Sequence, residues 1–568
     1  MHTAAHPLLP PVPDLPVWRV LDTRLKLDRL YGLWQAWRDM PARPRVLHFV
    51  AFTDAPPKRE QLLAAATPAQ APVANELSGA WIGLLPGLHR FLLDGGRFQL
   101  TLCVGELQAL LREQRFEADA VWFDAALAWD RHRLKALARC SRRGSVLSGL
   151  AADTPLAAAL REQGYVLQDA GWRHDPPWVT RARDAARRSP APVGRCAVIG
   201  AGLAGASVAA ALARRGWQVD VLDAATQPAA GASGLPAGLM IPYASPNDSP
   251  RARLTRAGLR LVRAEAQRLL RSGEDWGPGG VMELRPDGRG GLPHDWSVAG
   301  AELSHPVSSD GHEAWRAGVP AGDAVWHTQA AWVKPALLVR AWLAEPGVRF
   351  TGGSDVASLR AAATGWDLLD SSGRLLATAD QVVLANALGA PGLLASVGLT
   401  MPPVHGMRGV LSWGLHTPSS TSLSPPHPIN GSGSYIPHVP AAGGAAWYAG
   451  STYEATDGPA ATRSAHLQAD LDKLRRLLPA TAAALAPEYA AGRVQAWEGV
   501  RCVSSDRLPL VGALQDAAPP TLWISAAMGS RGLSLAMLCA EWLAAQMGAE
   551  PWPMEASLAR SLQVQRGR

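Results

Sequence analysis

Two patterns of apolar residues alternate along this chain. Unbroken runs of strand length, at Trp18–Leu21, Val46–Phe52, Phe98–Val104, Ala120–Phe123 and Ser145–Leu150, are separated by stretches of helical periodicity such as Leu27–Arg38 and Trp129–Ala138. Strands that are apolar on both faces need cover on both faces, so the alternation predicts an α/β fold with a doubly wound, Rossmann-like sheet. The pattern restarts at Cys196–Ile199, with a helix-forming stretch to Arg215 and a second run at Gln218–Leu222. Gln381–Asn386 and Thr521–Ala527 read as later strands of this second sheet. Between them, segments around 275–335 and 405–455 are polar, rich in Gly and Pro, and broken into short alternating strands. They predict an antiparallel-sheet domain inserted into the second α/β unit. The charged, Pro-interrupted stretch 181–193 reads as a linker between units at 15–180 and 194–560. The Ser/Pro-rich stretch 418–428 reads as a loop.

The junction after the restart carries the first chemistry. An apolar strand ends in Gly200-Ala-Gly202-Leu-Ala-Gly205, a helix follows, and the next strand ends on Asp223. Gly200 permits a tight turn, Gly202 lets a pyrophosphate approach the backbone, and Gly205 lets the helix pack closely. The helix N-terminus faces the phosphates, and the acid lies where a ribose hydroxyl would be. The order of elements predicts a dinucleotide site.

Composition narrows the setting. The 568 residues exceed one ordinary domain, and 48% hydrophobic content supplies real cores. No stretch approaches the ~20 apolar residues of a membrane span. The N-terminus lacks a basic-then-apolar leader, and the five cysteines are scattered without metal-ligand spacing. A reducing cytoplasm is expected, with no metal site and no membrane partner. A net charge of +7 favours polyanionic partners.

Four features favour FAD over NAD. Small residues and a hydroxyl, Ser233-Gly234 and then Gly238, follow the ribose acid. Gly529-Ser-Arg-Gly532 opens a late helix whose positive end suits a flavin ring oxygen. Trp332-Val333 and Pro335 precede a helix as in a flavin-domain crossover, and no second GxGxxG follows residue 205. Without a nicotinamide site, molecular oxygen is the expected electron acceptor.

Three later segments sharpen the picture: Trp497-Glu-Gly499-Val-Arg501 through Asp506 to Gly512, Met528–Glu541, and Glu550–Ser557. With the glycine-rich turn, they resemble the glycine-oxidase/D-amino-acid-oxidase group of FAD enzymes. The chain as a whole is similar to the bacterial bifunctional enzymes of tRNA 5-methylaminomethyl-2-thiouridine biosynthesis, most specifically over 194–560. The resemblance implies an N-terminal methyltransferase domain using S-adenosylmethionine and a C-terminal FAD domain. It also implies a substrate, 5-carboxymethylaminomethyl-2-thiouridine at wobble position 34 of the tRNA anticodon loop. The FAD domain would remove the carboxymethyl arm to leave the 5-aminomethyl group, which the N-terminal domain would methylate. That arm is a glycine-like amine bearing a carboxylate. Arg501 is the candidate catalytic-site clamp for it, or else a structural partner of Asp506 or Glu498. Tyr435 and Tyr453 line the substrate pocket or pack ordinarily. The family's Arg-Gly-Gln appears as Arg408-Gly409-Val410.

The N-terminal unit departs from the family. Its acid-Thr-Gly-Phe-Gly-Thr-Gly-Leu-Asn loop reads here Asp22-Thr-Arg24-Leu-Lys26-Leu-Asp28. Long charged side chains remove the backbone freedom of the three glycines, so S-adenosylmethionine binding is expected to be lost or crippled. A second motif, Asp-Gly-Phe-Ala-Pro, survives as Asp124-Ala-Ala-Leu-Ala128, while Gly105-Glu106 persists. The competing expectations are a fully bifunctional enzyme, a free amino-acid oxidase of the glycine type, and a non-catalytic tRNA-binding scaffold.

Overall fold

In the first unit the apolar runs become one eight-stranded sheet. The computed structural model describes residues 9, 16–168, 171–178, 190–285, 291–308, 323–459, 461–515 and 520–566; residues 181–189 of the expected linker lie outside these. The strands are β1 (Val17–Asp22), β2 (Val46–Thr53), β3 (Gly87–Leu93), β4 (Phe98–Val104), β5 (Ala118–Trp122), β6 (Ser141–Ser148), β7 (Tyr165–Gln168) and β8 (Gly171–His174). Their order is β3-β4-β2-β1-β5-β6-β8-β7, with β3 and β8 antiparallel to their neighbours and the rest of the ladder from β4 to β6 parallel. β4 is buried along its whole length, as its unbroken apolar run requires. The chain leaves β1 towards β2 and returns on the other side to β5. The C-terminal end of β1 is therefore the switch point at which doubly wound sheets bind ligands.

The second unit is built the same way around β9 (Arg195–Ile199). β10 (Gln218–Asp223) flanks it on one side and Gln381–Leu384 on the other. Val348–Gly352 completes one edge, and Leu522–Ala526 and the antiparallel Leu510–Ala513 complete the other. Helix Leu203–Arg214, almost wholly buried, lies against helix Gly532–Met547, and the Ser207 hydroxyl donates to the Ala536 carbonyl at 3.2 Å. Helix Pro250–Leu269 crosses the latter so closely that a Cβ on Gly258 would collide with the Ser534 carbonyl.

The inserted domain is a nine-stranded sheet. Its spine is the antiparallel pair Val404–Leu415 and Gln495–Ser504, in register from Val404 opposite Ser504 to Trp413 opposite Gln495. The stretch 418–428, expected as a loop, contains a short helix, Pro418–Ser422. The Thr417 hydroxyl accepts from Ser420 N at 3.3 Å, and Pro418 supplies a preset first turn.

The segment that follows helix Gly532–Met547 docks on the first sheet. Arg19 donates to the Gly548 carbonyl at 2.6 Å and Arg90 to the Pro551 carbonyl at 2.5 Å. Among the described residues no helix is long and apolar enough to cross a membrane, and no group of His, Cys, Asp and Glu has the makings of a metal site. All five cysteines are buried.

Candidate active site

A cavity of about 650 Å³ opens at the C-terminal end of β9 and runs to the strand carrying Arg501. Its floor is the glycine turn. Gly200 has φ +107°, and a Cβ there would stand 2.6 Å from the Ala385 carbonyl oxygen. A Cβ on Gly205 would overlap the Gly200 carbonyl oxygen, so the helix approaches its own turn too closely for any side chain. Gly202 is the helix N-cap, without a side chain of its own. The Ser233 hydroxyl accepts from Leu203 N at 2.9 Å and caps that helix end. Asp223 accepts from Ala201 N at 2.7 Å and from Ala225 N at 2.8 Å, tying together the turns that end β9 and β10. A Cβ on Gly234 would lie 2.6 Å from the Ala229 carbonyl oxygen.

Opposite this turn, Gly529 has φ +57° and Gly532 begins helix Gly532–Met547; both line the cavity. The structure thus gathers Gly200, Gly202, Asp223, Ser233, Gly529, Gly532 and Arg501 around one space. FAD fits the residues present. A cradle that Cβ atoms would fill faces a helix N-terminus, a carboxylate stands at the end of β10, and the buried Asn386 Oδ1 on the cavity wall has no protein partner.

Arg501 occupies the far end. Neither expected structural partner holds it: Asp506 pairs with Arg566 at 2.7 Å and Glu498 with Arg408 at 3.0 Å. Among the described residues Arg501 makes no ion pair. It donates to Ser451 Oγ at 2.6 Å and lies 5.7 Å from the centre of the Tyr453 ring. Burial lowers its pKa from the ordinary value, a cost that a bound carboxylate would relieve. Gly409 makes the room, since a Cβ there would overlap the guanidinium.

Tyr453 is 46% exposed, its ring centre 5.7 Å from the Arg501 guanidinium. Tyr435 is not brought to the site, which corrects the expectation for it. The ring is fully buried in a core with Trp447 and Leu471, and its hydroxyl pairs with Ser424 Oγ at 2.6 Å. Its strand alternation turns it to the packed face.

The support beneath Arg501 carries no signal in the sequence. Helix Arg463–Leu477 lies under the strand end at Gly450, and Lys473 Nζ donates to the Ser451 carbonyl at 2.6 Å. Asp470, wholly buried, accepts from Ser412 Oγ at 2.9 Å, and its Oδ1 has no partner. Burial raises its pKa to about 7, against the opposing pull of Lys473 and Arg501. A polar helix face with Asp and Lys three apart reads as a solvated surface, and only the tertiary fold turns it inward.

At the corresponding end of β1 the loop is tied to both neighbouring strands. Thr23 N donates to the Trp122 carbonyl at 3.0 Å and Leu25 N to the Phe52 carbonyl at 2.7 Å, bridging from β1 to both neighbours. Arg29 pairs with the buried Asp22 at 3.0 Å and lies 4.3 Å from the centre of the Trp122 ring. Arg24 pairs with Asp124 at 3.6 Å. Glu106 caps the next helix through Gln108 N and Ala109 N and pairs with Arg133 at 3.1 Å.

Comparison with known proteins agrees with this geometry. Residues 195–546 match the FAD dependent oxidoreductase family. The chain is 42% identical over 595 residues to the tRNA 5-methylaminomethyl-2-thiouridine biosynthesis bifunctional protein MnmC of Albidiferax ferrireducens, covering 97% of this chain and 93% of that one. The protein of the same name from Polaromonas naphthalenivorans is 41% identical over 576 residues, covering 96% and 90%. Among solved structures, L-amino acid deaminase from Proteus myxofaciens aligns with a TM-score of 0.51 at 14% identity, over 67% of this chain and 95% of that one, a likeness of fold. This chain therefore belongs to the family of bifunctional tRNA 5-methylaminomethyl-2-thiouridine biosynthesis proteins, and its residues 195–546 form an FAD-dependent oxidoreductase domain.

Proposed function

We propose that the second unit oxidatively removes the carboxymethyl arm of 5-carboxymethylaminomethyl-2-thiouridine at position 34 of tRNA, leaving 5-aminomethyl-2-thiouridine. The observation that carries this is Arg501, a half-buried cation without an ion-pair partner among the described residues, in the same cavity as the glycine turn. Gly200 and Gly202 would hold the FAD pyrophosphate over the helix N-terminus, and Asp223 the ribose. Bound FAD supplies the acceptor for a hydride from the carbon between amine and carboxylate; water then splits the imine into glyoxylate and the free amine. Arg501 grips the carboxylate and so aims that C–H. Ser451 and Lys473 fix the strand end against which Arg501 rests. Molecular oxygen is the electron acceptor in this scheme, and the cytoplasm, where tRNA resides, is the setting.

In the first unit, methyl transfer from S-adenosylmethionine is impaired. Arg24, Arg29 and the backbone of residues 23–25 make contacts of their own at the switch point, where the family's glycines would leave the backbone free, which supports this. The names of the relatives favour the alternative, a fully bifunctional enzyme. Nucleoside mass spectrometry of tRNA decides between them. Cells lacking the protein should accumulate the carboxymethylaminomethyl nucleoside, and restoring it should yield the aminomethyl form. A methylaminomethyl product would sink the impairment, and unchanged tRNA the whole assignment. Peroxide release from glycine without tRNA would instead mark a free amino-acid oxidase.

A further inference from the structure

We propose that the cleft between helix Ala71–Ala80 of the first unit and helix Pro250–Leu269 of the second is a binding site for a mononucleotide. This goes beyond the wobble-uridine assignment and involves neither the glycine turn nor Arg501. The cleft encloses about 400 Å³, the size range of small-molecule sites. Arg256, Arg260, Arg263 and Gln267 line it from one helix, at spacings of four, three and four residues that put them on a single face. Arg256 is neutralised by Asp248 at 2.5 Å. Arg260 and Arg263 have no carboxylate partner among the described residues. Arg260 donates to the Ala80 and Ile82 carbonyls at 2.6 and 2.8 Å, and Arg263 to the Gln329 carbonyl at 3.2 Å. Burial holds both guanidiniums below their ordinary pKa, Arg260 at about 10, so an anion entering here recovers a cost already incurred in folding.

Two further charged residues line the cleft: Arg268, held by Glu265 at 3.2 Å and Glu345 at 3.4 Å, and Glu76, whose carboxylate accepts from Asp94 N at 2.9 Å and whose pKa burial raises. The rest of the wall suits a flat apolar body. Phe91, Leu259 and Pro242 are buried on the floor, with the Arg260 guanidinium 4.9 Å from the Phe91 ring centre. Arg90 is 2% exposed on this wall, and its Nε has no partner. Asn75 and Gln267, exposed at the rim, bring side-chain amides that can pair with a base edge. Guanidinium planes beside apolar walls hold bases by stacking, and paired arginines hold a phosphate.

Gly79 gives a test that leaves the machinery untouched. It lines the cleft, and a Cβ there meets nothing within 4 Å, so the Cβ of Gly79→Trp enters open space and its indole is placed to block the cleft. Calorimetric titration of the FAD-loaded protein with uridine 5′-monophosphate should show binding that weakens with salt, and uridine should bind roughly tenfold more weakly or less. Arg263→Gln should raise the dissociation constant roughly tenfold, and Gly79→Trp should abolish binding, with flavin absorbance and thermal midpoint unchanged. Loss of tRNA affinity in Gly79→Trp makes the ligand a nucleotide of the RNA itself; unchanged tRNA affinity makes it a free nucleotide. No binding of the monophosphate, or binding that Gly79→Trp leaves intact, overturns the site. Failure of the wobble-uridine assignment would instead appear in the nucleoside products.

Discussion

At the scale of single residues, the proposed substrate clamp depends on one cation, Arg501, that makes no ion pair among the described residues. Arg501→Gln retains hydrogen-bonding capacity and loses the charge. The KM for the carboxylate-bearing nucleoside in tRNA should rise about 10- to 100-fold, because a charge-assisted pair contributes about 1.5–3 kcal/mol. Flavin absorbance should be unchanged. Steady-state kinetics showing an unchanged KM would exclude Arg501 as the clamp. Gly409→Ala should imitate this loss from the opposing strand, since the new methyl displaces the guanidinium itself. Asp470 adds a pH dependence. Its carboxyl, raised to about 7, is neutral below that pH and charged above it, facing the cations of Lys473 on its own helix and Arg501 on the strand Gln495–Ser504. The pocket is therefore more positive in mild acid, and KM should fall as pH drops from 8 to 6. Asp470→Asn should flatten that profile at the low value.

At the scale of elements, glycines decide where strands hand over to helices. Gly205→Ala forces the helix Leu203–Arg214 away from the Gly200 carbonyl, an overpacking cost of about 1–3 kcal/mol placed directly under the expected pyrophosphate. The purified variant should be folded by circular dichroism and bleached of flavin; a variant as yellow as the parent would place the pyrophosphate elsewhere. This turn was legible in the sequence because strand, glycines, helix and Asp223 lie within thirty residues, each with local chemistry of its own. The apolar runs of β2 and β4 were legible because unbroken runs leave no polar face. β3 was not, since His89 and Arg90 interrupt its run. Arg90 is buried with its guanidinium donating to Gln99 Oε1 on the adjacent strand and to the Pro551 carbonyl from the far end of the chain. Tyr435 and Tyr453 look alike in sequence, but Tyr435 lies in the strand Ser434–Ala441 on its buried face, whereas Tyr453 follows the end of a strand at Gly450 and stays beside Arg501.

At the scale of the whole molecule, the two units are joined by a buried ionic knot. Arg215 holds Glu541 at 2.9 Å and Glu550 at 2.8 Å, and Glu550 accepts from His48 Nε2 at 2.9 Å across the seam. Arg215, Glu541, Glu550 and His48 are all essentially inaccessible, so each partner leaves an uncompensated charge or dipole if the other departs. Burial lowers the His48 pKa from 6.5 to about 4, keeping the ring neutral with its proton on Nε2, while Arg215 and His48 hold Glu550 far below the usual carboxylate range. A folded-state pKa below the unfolded value means that the unfolded chain binds the extra proton first. The His48 contribution is thus complete above about pH 6.5 and drains away as pH falls towards 4, on the order of 3 kcal/mol in all. Asp22 and Asp470, both raised to about 7, have the opposite slope, losing stability as pH rises, so the raw pH profile of the parent mixes the two. The difference between parent and His48→Gln isolates the seam. The glutamine amide still donates to Glu550 but has no proton to gain. Its stability penalty at pH 7.5 should therefore shrink or reverse by pH 4.5, measured as the midpoint of denaturant unfolding. A penalty independent of pH would mean that His48 is not held neutral and that the knot does not register acid at all.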